Sequence, residues 1–152
     1  MQNETSEAAA MSAMTQAQVE LVQTSFASVQ QISETAARLF YMRLFEIDPS
    51  LRPMFRGDLK EQGRKLMQML AVAVGSLHRL ESIIPAVEAL GQRHAAYGVR
   101  DTHYATVAEA LLWTLEQGLG PAFTPEVAQA WTAMYGVVVA AMMRGATMAA
   151  AA

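Results

Sequence analysis

The apolar residues of this chain recur three and four positions apart in one long segment after another, as in Val19, Val22, Phe26 and Val29 or Val127, Trp131, Met134, Val138 and Met142. That period lines one face of an α-helix, and no segment shows the strict alternation of a strand. Polar residues interrupt the pattern at three places. His94 stands on the stripe Ile83, Val87, Leu90, His94. Gln62 comes one turn before the stripe Leu66, Met69 or Leu70, Ala73, Leu77, and Tyr41 closes the apolar run Leu39-Phe40-Tyr41. A polar group on a buried face costs roughly 1–3 kcal/mol unless something pairs with it. Taken singly, each has an ordinary reading: a core histidine bonded to a carbonyl, a surface amide, an amphipathic core tyrosine. Taken together they suggest a shared partner inside the core.

Punctuation divides the chain into helices. Thr15 and Gln18 have capping-box spacing and open the first. A second carries Ile32, Ala36, Leu39, Phe40, Leu44 and Ile47. Asp48-Pro49 reads as a stop followed by a start, with a short turn ending near Phe55. Asp58 and Glu61 open a long helix reaching about Leu77. Ser82 is the expected cap of the helix that carries His94 and ends before Gly98. Asp101 or Thr102 opens a helix with Tyr104, Val107, Leu111 and Leu115. Gly118 to Phe123 is expected as a loop, and Thr124-Pro125-Glu126 starts the last helix.

The length of 152 residues suits one domain with a substantial core. Residues 1–14 are expected to be a disordered leader, 15–146 the folded domain, and 147–152 a disordered Ala-rich tail. The net charge is −3, and the 11 Lys and Arg residues are scattered, which argues against nucleic acid as a partner. No apolar run approaches the roughly 18 residues of a membrane span. The opening residues lack the basic start and apolar core of a signal peptide. Cysteine is absent, which excludes disulfides and thiolate ligands and fits a reducing cytoplasm.

Seven segments, in order, carry a resemblance: Leu39-Phe40-Tyr41, Asp48-Pro49, Met54-Phe55, Gln62-Gly63-Arg64-Lys65-Leu66, His94-Ala95-Ala96-Tyr97-Gly98-Val99, His103-Tyr104 and Trp131 to Gly136. The chain resembles the globin family over roughly residues 15–145, and within it the bacterial single-domain globins and the globin half of flavohaemoglobins. The resemblance implies an all-α globin fold, with six to eight helices packed around a haem crevice. It implies haem b, with His94 as the proximal iron ligand through a neutral imidazole nitrogen. Phe55 matches the phenylalanine that packs on the haem face, and Tyr41, Gln62 and Leu66 match the distal pocket. Val99 and Val107 would line the proximal side, and Lys65 or Arg64 would reach a propionate. Tyr104 has the spacing of the proximal tyrosine of flavohaemoglobins. The glutamate that joins that tyrosine in those proteins falls here at Ala146, and no Asp or Glu follows Glu126. Strong electron push from His94 is therefore not expected.

The residue types agree with this chemistry. Dioxygen gathers negative charge as it binds ferrous haem, and a tyrosine hydroxyl and a glutamine amide can both donate hydrogen bonds to it. Glutamine is a poor iron ligand, so the resting ferrous site is expected to be five-coordinate. The first expectation is reversible binding of dioxygen and of other diatomic gases such as NO and CO. The alternatives are a nitric oxide dioxygenase served by a separate reductase, since no glycine-rich nucleotide fingerprint is present, and a haem-free globin-fold interaction module. His78 and His103 read as helix-end or surface residues.

Overall fold

The computed structural model describes residues 14–55 and 57–151, so the expected leader lies almost wholly outside the described residues. Among these there are six α-helices: α1 Gln16–Gln30, α2 Ser33–Ile47, α3 Leu59–Gly75, α4 Ile84–Ala96, α5 Asp101–Leu119 and α6 Pro125–Ala151. Short 3₁₀ segments, Pro49–Met54, Leu77–Ser82 and Gly120–Ala122, join them, and the described residues contain no strand.

Four helix starts follow their local chemistry. Gln18 N–H donates to Thr15 Oγ1 at 3.1 Å while Thr15 N–H donates to Gln18 Oε1 at 3.0 Å, a complete capping box. Asp48 accepts from Ser50 N–H at 3.0 Å, and Asp58 from Lys60 N–H at 2.9 Å. Thr124 Oγ1 accepts from Val127 N–H at 3.2 Å. Two expectations are corrected. Ser82 does not cap α4: its hydroxyl donates back to the Arg79 carbonyl at 2.7 Å, and Pro85 fits the helix's first turn in place of a capped amide. Helix α5 runs through Gly118 and stops at Gly120, whose φ of +55° lies in the left-handed region that glycine tolerates. The last helix extends as far as Ala151, as the high helix propensity of alanine favours.

Helix α6 is the spine. Its Trp131 and Met134 are among the largest fully buried side chains, with Val22 of α1, Leu44 of α2 and Leu115 of α5. Trp131 Nε1–H donates to Ser25 Oγ at 2.9 Å, and Ser25 passes its own proton to the Leu21 carbonyl at 2.6 Å, so the buried indole is satisfied. Phe26 packs at a tilt on Trp131, with ring centroids 6.1 Å apart. Helix α2 packs on α5 and α3, α1 on α6, and α4 chiefly on α6. The crossing of α2 and α3 is tight at Gly63, where a Cβ would lie 2.8 Å from that of Ala37. Ile32, expected on the buried face of the second helix, precedes α2 and is 38% exposed.

Candidate functional site

Helices α3 and α4 each leave their apolar stripe half-buried. On α3 these residues are Gln62, Leu66, Leu70 and Ala73; on α4 they are Val87, Leu90 and His94. The two helices pack on other partners and not substantially on one another. Two apolar faces are thus available to a flat, apolar group of more than side-chain size.

On the α4 side, His94 Nδ1 lies 2.9 Å from the Leu90 carbonyl, one turn earlier. A carbonyl can only accept, so Nδ1 carries the proton and Nε2 keeps its lone pair. Burial lowers the imidazole's pKa, against the opposing pull of the Leu90 bond, and Arg93 lowers it further. The neutral, ligating form is therefore favoured. Val99 is half-buried, and its N–H donates to the His94 carbonyl at 3.0 Å, folding the chain after α4 back over the helix end. From α5, Tyr104 is buried and Val107 packs against the core. Tyr135 of α6 donates its hydroxyl to the Tyr104 carbonyl at 2.7 Å, pinning the first turn of α5. His103 accepts at Nδ1 from Arg100 N–H at 2.9 Å, and His78 is exposed.

On the α3 side, Tyr41 is 7% exposed inside an aromatic cluster. Its ring meets Phe40 edge-on at 5.1 Å and Phe55 edge-on at 5.3 Å, and lies against Phe45 at 6.1 Å. Burial alone pushes the phenol up to about 12, so the hydroxyl keeps its proton and remains a donor. Phe55 reaches Tyr41 because the 3₁₀ segment Pro49–Met54 turns the chain back after α2. Gly63 brings α3 up to Tyr41: a Cβ there would sit 3.9 Å from the tyrosine ring. Gln62 is the residue before it, and Leu66 lies one turn further on, packed against the core. Arg64 pairs with Glu61 at 3.3 Å and lines an outer groove of about 820 Å³ between α2 and α3, which Tyr41 and Phe45 also line. Lys65 is exposed and makes no ion pair among the described residues.

The structure therefore packs Tyr41 on Phe55 with Gly63 of α3 beside it, sets Gln62 and Leu66 on that same helix, and ties His94 and Val99 together elsewhere. Phe45 belongs to the first group and was not anticipated, although it lies one helical turn after Tyr41. Gly91 was also missed; it is the one fully buried residue of α4.

The globin family model matches residues 38–142, which include Tyr41, Phe55, Gln62, His94 and Tyr104. The chain belongs to the globin family. This globin is 34% identical over 139 residues to neuroglobin of Danio rerio, covering 82% of this chain and 87% of that one. It is 32% identical over 123 residues to the flavohemoprotein of Bacillus subtilis, and there it spans only 31% of the relative's length. Among solved structures, an engineered carbene transferase from Rhodothermus marinus superposes with a TM-score of 0.79 at 26% identity, covering 91% of this chain and 97% of that one. A bacterial globin from Campylobacter jejuni gives 0.77 at 23% identity, covering 88% and 97%, and shares the fold. Family membership carries haem-based binding of diatomic gases. Among the described residues no helix is long and apolar enough to cross a membrane.

The residues fit haem. No cluster of three or more His, Asp or Glu among the described residues could hold a metal by itself. A single half-buried imidazole with a free Nε2 suits an ion that brings its other ligands with it. The half-buried apolar stripes of α3 and α4 suit the faces of such a group.

Proposed function

We propose that this globin binds dioxygen reversibly at haem b, with His94 as the iron ligand and Tyr41 and Gln62 as donors to the bound gas. Bound haem would supply a ferrous iron with an open position for a diatomic molecule such as dioxygen, NO or CO. The chain's own residues do the rest. His94 presents Nε2, its ring direction set by the bond from Nδ1 to the Leu90 carbonyl. Phe55 and Val99 would pack against the group, and Val107 and Tyr104 would close the side on which His94 lies. Lys65 would meet a propionate, a role supported by Arg64 being engaged with Glu61. Leu66 excludes water. Gln62, a weak ligand for iron, would leave the open position to the gas and would offer its amide as a second donor.

The observation that carries this reading is Tyr41: a tyrosine held protonated by burial, 5.3 Å from Phe55 and beside the Gln62 turn. A carrier needs a donor that never loses its proton at working pH. A nitric oxide dioxygenase needs the same donor, and also repeated reduction from a separate reductase, with cytoplasmic residence fitting both. The absence of any Asp or Glu after Glu126 favours the carrier, because no carboxylate beyond the first turn of α6 can increase the electron push of His94. A haem-free interaction module is disfavoured by the retention of both His94 and Phe55. The test is NO consumption by the oxygenated protein, with and without a flavin reductase. A stable oxygen complex with no sustained NO turnover supports the carrier. Multiple turnovers with reductase select the dioxygenase.

A further inference from the structure

We infer that α6 sets the direction of the His94 imidazole through a reciprocal pair of glycine contacts with α4; the inference rests on the reading of His94 as the iron ligand. The two helices touch backbone to backbone at two points. At Gly91 a Cβ would fall inside the Met142 carbonyl group, 2.6 Å from both its carbon and its Cα. At Gly145 a Cβ would fall inside the Glu88 carbonyl group, 2.6 Å from its carbon and 2.8 Å from its Cα. Ordinary carbon–carbon contact is about 3.5–4.0 Å, so either side chain would have to push the helices apart by roughly 1 Å. The pairs run antiparallel, Gly91 with Met142 and Glu88 with Gly145, so they fix both the separation and the sliding register of α4 on α6. Arg144 adds an ion pair to Glu88 at 3.4 Å on the same crossing.

The link to His94 is one peptide long. The carbonyl that accepts from His94 Nδ1 belongs to Leu90, and that carbonyl is half of the Leu90–Gly91 peptide. Gly91 is the residue seated on Met142. The α6 backbone therefore holds the peptide plane whose oxygen aims the imidazole. Gly91 is the buried residue of α4, and the Glu88–Gly145 contact one turn earlier holds the same stretch of helix. Glycine at 91 and 145 is a positioning device: it allows the close seat, and the seat holds the ring. Gly136 on the same helix α6 meets nothing within 4 Å and is the matched control.

The experiment compares Gly91→Ala, Gly145→Ala and Gly136→Ala with the unsubstituted full chain, each loaded with haem and reduced. The iron–histidine stretching band is read by resonance Raman, and haem loss by transfer to an excess of an apo-globin acceptor. Gly91→Ala and Gly145→Ala are expected to shift the band and to speed haem loss by about tenfold or more, while Gly136→Ala moves neither. If the glycine variants fail to fold, Arg144→Ala reads the same coupling without adding an atom. About threefold faster haem loss is expected there, the size a partly exposed ion pair can contribute. Unchanged haem loss in Arg144→Ala, with the glycine variants unfolded, would overturn the inference. A histidine band present in the unsubstituted chain and unmoved by either folded glycine variant overturns this inference alone. Absence of that band in the unsubstituted chain overturns the ligand reading and this inference with it.

Discussion

Replacing Tyr41 with phenylalanine deletes one hydroxyl and leaves the ring in place. The ring is held by Phe40, Phe45 and Phe55 at 5.1–6.1 Å, so the substitution should keep the packing of α2 and the 3₁₀ segment intact. On the proposed reading, what is lost is one donor to a gas that carries negative charge. Hydrogen bonds to a charged acceptor are worth roughly 1.5–3 kcal/mol, which is about tenfold to a hundredfold or slightly more in affinity. The change belongs mainly to the off-rate. Stopped-flow replacement of dioxygen by excess CO should therefore show release from Tyr41→Phe at least about tenfold faster than from the unsubstituted globin. Because burial pushes the Tyr41 phenol up to about 12, the unsubstituted off-rate should also be flat from about pH 6 to about pH 10. The sign for stability follows from the same shift. The phenol ionises near pH 10 when unfolded and near pH 12 when folded, so its contribution is complete below about pH 10 and is lost as pH rises towards about 12. Tyr41→Phe should flatten the fall in melting temperature across that window. An off-rate changed less than about threefold would show that the hydroxyl does not face the gas, and would refute the distal assignment.

Two further substitutions test the frame that positions the site. Gly63→Ala places a methyl 2.8 Å from the Ala37 Cβ, so α2 and α3 must separate; a loss of about 1–3 kcal/mol in urea unfolding is expected, and no loss would show that the crossing has slack. Ser25→Ala strands the Trp131 Nε1–H, now bonded at 2.9 Å in a fully buried ring; about 1–3 kcal/mol should be lost. An unchanged stability would mean that another acceptor takes the indole proton.

Much of this fold was legible because its signals are local. Thr15 with Gln18, Asp48 with Pro49, Asp58, and Thr124 with Pro125 act on amides two or three residues away, and each does so here. Ser82 misled for the same local reason: a serine can also give its proton back to a carbonyl three residues earlier, and the Arg79 carbonyl was as near as any helix amide. The aromatic cluster around Tyr41 was half legible. Tyr41 and Phe45 are one helical turn apart, so their stacking could have been expected; the approach of Phe55 depends on how the 3₁₀ segment turns. The engagement of Arg64 by Glu61 was also open to reading, since Glu61 precedes Arg64 by three residues. The seating of Gly91 on Met142 and of Gly145 on Glu88 was not legible. It depends on the register of two helices more than fifty residues apart in sequence, which no local period encodes.

The central claim is that His94 holds haem iron, and one optical experiment addresses it directly. The purified chain and His94→Ala are each reconstituted with hemin, and spectra are taken ferric, reduced, and reduced with oxygen. The account predicts a five-coordinate ferrous spectrum and a stable oxygen complex for the unsubstituted globin, and loss of stable haem binding in His94→Ala. Full haem retention by His94→Ala with an unchanged ferrous spectrum would contradict it.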